Sequence, residues 1–301
     1  MNVQFTENKL IELFIDVDDL YKSYLSFLGS KGKLPPRKTR ETQLNPSEIC
    51  TILVSYNYSG YKCFEYYYRE LILKRYNDYF PDAPTYECFL SYIPRAADLI
   101  YLWLLYTVAL SEKTGLYIVD SKKLEVCNIK REHSHKVFQG IAKKGKSSTG
   151  WFFGLKIHLV INNLGEIVSF ELTPGNVADN NQELLKRLFD KLDGVCVGDK
   201  GYLSKLFAFF YENGLHLVTK PKKNMKKLPV PNYHNILINK RAVVESVFDI
   251  LKSVCNIEHS RHRRPMNAAV HIFSSLIAYQ YMVKKPRIFC PSHIKQLNNA
   301  A

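Results

Sequence analysis

The sequence lacks the cysteine pattern of a secreted or zinc-stapled protein. Its seven cysteines include no C-x-x-C pair, and an odd number without ligand spacing argues against a disulfide framework or a zinc knuckle. Several cysteines lie in apolar runs, which is typical of small core side chains. We therefore expect a protein of a reducing cytosol.

Long hydrophobic runs are also missing. Residues 1–10 are polar and contain no apolar signal core. The longest apolar run, Leu99–Leu110, is shorter than the roughly 20 residues that cross a membrane. This run favours a buried core helix, and we expect no membrane partner.

Acidic residues are scarce in this 301-residue chain. Only 28 Asp and Glu residues stand against 42 Lys and Arg residues, which leaves a formal charge of +14 at pH 7. A chain this basic is attracted to polyanions, such as nucleic acid or an acidic membrane surface. With 46% hydrophobic and 23% charged residues, the composition excludes a mostly disordered chain, a collagen and a coiled-coil rod.

The N-terminal region, residues 1–113, is predicted to be helical. Asn45-Pro46-Ser47-Glu48 has a cap residue, proline at the first helical position and glutamate at the third, which is typical of a helix start. Glycines and prolines at 29–36 and 81–84 divide the region into short helices. Such helices predict either a DNA-binding helix-turn-helix bundle or a helical cap on the next domain.

Residues 114–285 have a mixed α/β pattern, and residues 286–301 are predicted to be a flexible tail. Apolar runs predict five strands, and apolar residues at helical spacing predict four later helices. The strands are expected at 116–119, 152–161, 167–172, 195–198 and 215–219, and the helices at 179–191, 203–213, 239–254 and 266–283. A meander followed by strand–helix crossovers predicts a mixed five-stranded sheet flanked by helices, with the first strand beside the fourth.

Two aspartates each end an apolar strand. Asp120 follows the first predicted strand, and Asp199 follows the fourth. A carboxylate at such a position costs free energy unless it binds something. A turn cap is one explanation for either residue. Because the two strands are predicted neighbours, we favour a divalent cation that both aspartates bind.

A third acid is expected from the late helix. Glu245 lies four residues after Arg241 and seven before Lys252, so all three share one helix face. An exposed Arg–Glu pair with a solvated Lys is the alternative reading, and Asp249 is a competing acid. We favour Glu245, which we expect to lie among the helix valines. Oxygen ligands alone select Mg²⁺, with Mn²⁺ as a substitute.

Together these motifs resemble the DDE transposases of bacterial insertion sequences, and the nine-eighty-two group in particular. The matching segments are Leu172–Asn176 followed by Asp179, Val197–Tyr202, and the run from Arg241 through Glu245 to Lys252. The resemblance implies a ribonuclease H-like fold at 114–285, with Asp120, Asp199 and Glu245 as catalytic ligands of two Mg²⁺ or Mn²⁺ ions.

The resemblance also implies an activity and a setting. The expected reaction is cleavage at insertion-sequence ends and strand transfer into target DNA by a homodimer or higher oligomer. The expected location is the nucleoid of a bacterial or archaeal cytoplasm. A ribonuclease H-like nuclease or resolvase without strand transfer and a non-catalytic DNA-binding descendant are the alternatives.

Three basic clusters lie near the predicted acids, at 121–150, 220–241 and 259–264. The first has eight basic residues against two acids, and the second has seven against none. Such clusters neutralise DNA phosphates and release counterions. The candidate DNA-binding residues are Lys122, Lys123, Lys222, Lys223, Lys226, Lys227, Arg241, Lys252, Arg261, Arg263 and Arg264. Aromatic residues at 56–68 could stack on bases, but their spacing favours helix core.

Overall fold

The computed structural model describes residues 5–33, 43–147, 150–202, 205–220, 232–258 and 262–288. The helices are α1 (Glu7–Ser30), α2 (Pro46–Ser59), α3 (Phe64–Tyr67), α4 (Tyr86–Tyr92), α5 (Ala97–Ala109), α6 (Gln182–Leu188), α7 (Phe207–Glu212), α8 (Asn232–Lys240), α9 (Val243–Ser253) and α10 (Pro265–Gln280). The strands are β1 (Leu116–Cys127), β2 (Lys143–Ser147), β3 (Gly150–Asn162), β4 (Ile167–Pro174), β5 (Gly194–Gly198) and β6 (Leu215–Thr219). A π-helix, Tyr68–Arg75, continues α3.

The chain divides into two compact units. The helical unit comprises Met1–Thr107 and Leu251–Tyr281, and the sheet unit comprises Val108–Ile250 and Met282–Ala301. The helical unit thus includes α10, which the sequence analysis placed in the α/β region. The predicted domain boundaries after residues 113 and 285 stay predictions, as does a helix-turn-helix role for the N-terminal helices.

The helical unit is built on capped, apolar helices. Helix α2 begins with the predicted capping box, because the Asn45 side chain accepts a hydrogen bond from the Glu48 amide at 2.8 Å and the Glu48 carboxylate accepts one from the Asn45 amide at 2.7 Å. Trp103, fully buried on α5, donates to the Tyr281 hydroxyl at 3.1 Å. That hydroxyl donates to Asp16 on α1 at 2.7 Å, so a polar chain joins α1 and α5 within the core.

The apolar run at 99–110 forms most of α5, and its buried side chains include Leu99, Ile100 and Leu104. The helical segment Tyr86–Ala109 is long and apolar enough to cross a membrane, judged by length and composition alone. Core helices that are mostly buried meet the same criterion.

The sheet unit contains the mixed sheet with flanking helices that the sequence predicts. Strand β1 pairs antiparallel with β3 and parallel with β5, while β5 pairs parallel with β6 and β3 pairs antiparallel with β4. The order β4-β3-β1-β5-β6 confirms that the first predicted strand lies beside the fourth. On one face, Tyr117, Val119 and Val160 pack with Leu185 of α6 and Phe210 of α7. Helix α8 packs against β5 and β6.

The sheet differs from the prediction in two respects. A sixth strand, β2, pairs antiparallel with the first residues of β3, although its sequence Lys-Lys-Gly-Lys-Ser has no apolar residue to mark it as a strand. Strand β1 also continues through Lys122 and Lys123 to Cys127, because the 13-residue β3 supplies a partner for these polar positions.

The late helix is not continuous as predicted. Helix α8 ends at Lys240 and α9 begins at Val243. Between them the Arg241 amide donates to the carbonyl of Ile238, three residues earlier, at 3.3 Å. Such i→i−3 bonding tightens the end of a helix, so Arg241 lies in a turn between the two helices.

Candidate active site

Asp120 and Asp199 lie at the same level on adjacent parallel strands. Ile118 of β1 is paired with Val197 of β5, and each aspartate follows two residues later. Neighbouring strands lie about 4.8 Å apart, which places the two aspartate backbones side by side. Asp199 directly follows β5 as predicted, but Asp120 does not end its strand, because pairing with β3 extends β1 to Cys127. Each carboxylate accepts a hydrogen bond from the next amide, at 2.9 Å for Asp120 and 2.8 Å for Asp199.

Arg241 joins the first strand to the late helix. Its Nη1 lies 3.3 Å from Asp120 Oδ2, and its Nη2 lies 3.6 Å from Glu245 Oε1. The turn between α8 and α9 thus lets one guanidinium contact two of the three predicted acids. Glu245 itself does not lie among the helix valines, since its side chain is 61% exposed while Val244 and Val247 are buried.

Burial raises the pKa of Asp120 to about 6. The negative charges of Asp179 and Asp199 contribute to this increase in pKa, whereas the Ser121 amide and Arg241 oppose it. A carboxyl group in this environment holds its negative charge at a cost, which a nearby cation would reduce. The same electrostatic coupling indicates that Asp120, Asp179 and Asp199 share one region of the sheet unit.

The acidic residues of this site provide some, but not all, of the ligands that a hard divalent cation would need. Asp120 on β1 and Asp199 directly after β5 provide carboxylate oxygens on neighbouring strands, and this is the ligand type that Mg²⁺ prefers. Glu245 does not complete a set with them, because Arg241 lies between Glu245 and Asp120. Among the described residues, no group of three or more His, Cys, Asp or Glu side chains is arranged to hold a metal ion.

A second polar cluster, which the sequence analysis did not assemble, surrounds Asp179. Its Oδ1 accepts hydrogen bonds from Ser121 Oγ and Lys156 Nζ, both at 3.0 Å, and lies 3.8 Å from His158 Nδ1. His158 is fully buried, and its Nε2 lies 3.0 Å from Thr173 Oγ1. We call Ser121, Lys156, His158, Thr173 and Asp179 the Asp179 cluster.

The Asp179 cluster lies on the sheet face opposite to Asp120. Ser121 is the next residue after Asp120 on β1 and is paired with His158 of β3. Successive strand residues point to opposite faces, and Ser121 shares its face with the buried Val119. The alternation of Lys156 and His158 was visible in the sequence, but their joint contact with a loop acid 21 to 23 residues later was not.

The other predicted DNA-binding residues fall into two groups, those within the part of the chain that the structure describes and those outside it. Lys252 forms an ion pair with Glu258 at 2.9 Å, and Lys123 forms one with Glu125 at 2.6 Å. Lys122 is partly buried on β1, and Arg263 and Arg264 are exposed before α10. The predicted DNA contacts Lys222, Lys223, Lys226, Lys227 and Arg261 lie outside the described residues.

The sequence matches a known protein family. Residues 110–265, more than half of the chain, match the family described as transposase DDE domain. The comparison with curated proteins gave no match. One similar solved structure is the cryo-EM structure of the piggyBac transposase synaptic complex with hairpin DNA; its TM-score is 0.48 and its identity 11%, over 99% of this chain and 77% of that chain. By the match over residues 110–265, the chain belongs to the transposase DDE domain family.

Proposed function

We propose that the protein cleaves DNA at the ends of an insertion sequence and transfers the freed 3′-hydroxyl ends into target DNA. The observation that supports this best is the side-by-side placement of Asp120 and Asp199 in a chain of the transposase DDE family. Phosphodiester attack by water or by a DNA 3′-hydroxyl needs no protein nucleophile when acids and metal ions are in place.

In this proposal Asp120, Asp199 and Glu245 are the catalytic acids, and they bind Mg²⁺ or, as a substitute, Mn²⁺ at a two-ion site. Divalent ions, when bound, activate the attacking oxygen and stabilise the leaving oxygen. The chain would contribute placement, because β1 carries Asp120 and β5 leads directly into Asp199. Such preorganisation reduces the rearrangement needed during the reaction.

Arg241 has a further role in the proposal. Its contact with Asp120 at 3.3 Å neutralises part of the acid charge in the absence of ligands. A guanidinium can donate two parallel hydrogen bonds to one phosphate, and such a pair is stronger than the single contact with Asp120. We therefore expect Arg241 to exchange its contact with Asp120 for a DNA phosphate, which frees Asp120 and Glu245 to act as ligands.

The partner in this proposal is double-stranded DNA, held by the predicted basic residues and bound by a homodimer or a higher oligomer. Lys122 on β1 lies two residues beyond Asp120, so a phosphate near the acids is also near a lysine. Membership of the nine-eighty-two group and a nucleoid location are parts of the same proposal.

The experiment uses purified protein and a supercoiled plasmid that carries both DNA segments flanking the coding sequence. We expect nicks at the segment ends and joined products in Mg²⁺ or Mn²⁺, and neither product in EDTA. Cleavage without joining would favour the nuclease alternative. Binding without cleavage in any divalent metal would favour the non-catalytic descendant and contradict the proposal.

A further inference from the structure

The helical unit contains a cavity that the proposed chemistry does not use. Its volume is about 600 Å³, and residues of α2, α3, α4 and α10 line it. Pockets of about 300–1,000 Å³ are typical of small-molecule sites. On α10, the lining residues Asn267, Val270, His271 and Ser274 recur at offsets of three, four and seven, so one face of that helix borders the cavity.

Two polar atoms of that face have unused hydrogen-bonding capacity. Ser274 is 1% exposed, and its Oγ has no hydrogen-bond partner within the described part of the chain. The buried Oδ1 of Asn267 also has none there. By contrast, the neighbouring Ser275 hydroxyl bonds to the His271 carbonyl at 2.8 Å. Buried polar groups without partners are costly, so these atoms favour a polar ligand.

Aromatic rings line the same cavity. Tyr56, Phe64 and Tyr86 border it, and the Phe64 ring centroid lies 5.0 Å from that of Tyr56 and 6.2 Å from that of Tyr86. Aromatic side chains stack on flat heterocycles, and nucleobases bind such surfaces without regard to sequence. Helix core was favoured for the aromatic residues at 56–68, and Tyr56 is indeed buried, but Tyr56 and Phe64 also border this cavity.

Positive charge lies at the start of α10. Arg263 and Arg264 are exposed, line the cavity and directly precede this 16-residue helix. The Arg264 side chain does not cap α10, so the backbone amides at the N-terminus of this helix can bind an anion. Glu87 also lines the cavity, but it forms an ion pair with Arg69 at 2.7 Å. Two guanidinium groups at a helix N-terminus favour phosphate.

We propose that this cavity binds one nucleotide. The base lies among the aromatic rings with its polar edge on Asn267 and Ser274, and the phosphate lies at Arg263, Arg264 and the start of α10. The nucleotide is either an unpaired residue of bound DNA or a free nucleotide. The DNA source rests on the proposed function, whereas the free source does not.

The test uses the full chain and two probes. One is a duplex with a single unpaired 2-aminopurine, compared with the same duplex carrying an abasic residue at that position. The other is the set of four deoxynucleoside monophosphates, measured by calorimetry. We expect the base-containing duplex to bind about tenfold more tightly than the abasic one, with quenched 2-aminopurine emission, because one stacked base contributes roughly 1–3 kcal/mol.

Variants separate the base contacts from the phosphate contacts. Asn267→Ala and Ser274→Ala should reduce the preference for the base-containing duplex, while the Arg263→Ala/Arg264→Ala pair should weaken binding of both duplexes. Arg75→Ala, which removes an exposed arginine outside the cavity, is the matched control. Thermal unfolding of each variant checks that the fold is retained.

These experiments distinguish a failure of the cavity proposal from a failure of the proposed transposase function. Monophosphate binding that Ser274→Ala weakens, without preference between the duplexes, would assign the site to a free nucleotide. DNA cleavage with no base preference and no monophosphate binding would overturn the cavity proposal alone. Monophosphate binding by a protein that cleaves no DNA would support the cavity and contradict the transposase activity.

Discussion

At the residue scale, Asp179 connects the loop after β4 to the strand that carries Asp120. Ser121 and Lys156 both donate to one of its oxygens at 3.0 Å. Because Ser121 directly follows Asp120, these bonds restrain the backbone at the first proposed catalytic acid. Asp179 is therefore a positioning residue in this account, on the opposite side of β1 from Arg241.

His158 gives a testable pH dependence in the same cluster. Burial lowers its pKa from 6.5 to about 4; Asp179 opposes this shift and Lys156 adds to it. Between pH 6.5 and 4 the unfolded chain binds more protons at this residue than the folded chain does. The free energy of unfolding must therefore fall as the pH falls through this window.

We expect His158 to contribute about 2 kcal/mol to the loss of unfolding free energy between pH 7 and pH 5. Denaturant unfolding at both values measures it, and His158→Gln should show the smaller loss. His133→Gln, whose histidine side chain is 93% exposed, is the control. Equal losses in wild type and His158→Gln would show that burial does not keep His158 neutral.

At the element scale, the β2–β3 hairpin presents an aromatic side chain between cations. Trp151 is 57% exposed, and Lys144 Nζ and Lys146 Nζ lie 5.4 and 5.7 Å from its ring centroid. Strand β2 lies within the basic segment 121–150, and Trp151 directly follows that segment on β3. If that segment contacts DNA, the environment of Trp151 must change on binding.

Intrinsic fluorescence tests this, because the chain has only two tryptophans and the other, Trp103, is fully buried. In Trp103→Phe, we expect DNA to quench the remaining emission and salt to reverse the effect. Replacing Lys144 and Lys146 with Ala should reduce the log–log salt slope by up to about 1.8. The Trp151→Phe protein is the control, and unchanged Trp151 emission at saturating DNA would exclude the hairpin from the DNA contact.

The elements also show what the sequence could and could not predict. The pairing of β1 with β5 was predictable because each contains a short apolar run and sequence order restricts which strands are neighbours, whereas the catalytic roles of Asp120 and Asp199 stay predictions. Strand β2 was not predictable, because Lys143–Ser147 contains no apolar residue that would mark it as a strand. The break at Arg241 was missed because helix propensity does not record the side-chain contact of Arg241 with Asp120, 121 residues away.

At the scale of the whole molecule, most of the excess of 14 positive charges belongs to the sheet unit, which carries +12 against +2 for the helical unit. The cavity residues Arg263 and Arg264 belong to the helical unit, while Lys122 and Arg241 belong to the sheet unit. The clusters of basic residues in the sequence located much of this charge, but only the folded structure shows that α10 borders a cavity with α2, α3 and α4. That cavity depends on contacts between segments about 200 residues apart, which local patterns do not record.

The central claim is that Asp120 and Asp199 form one site that cleaves DNA. Its most direct test compares Asp120→Asn with Asp190→Asn, a surface change at a 67% exposed side chain, for cleavage of the flanking-segment plasmid in Mg²⁺. We predict that Asp120→Asn loses cleavage by on the order of a hundredfold or more, that it keeps its DNA affinity without divalent metal, and that Asp190→Asn retains both. Unaltered cleavage by purified Asp120→Asn protein would contradict the account.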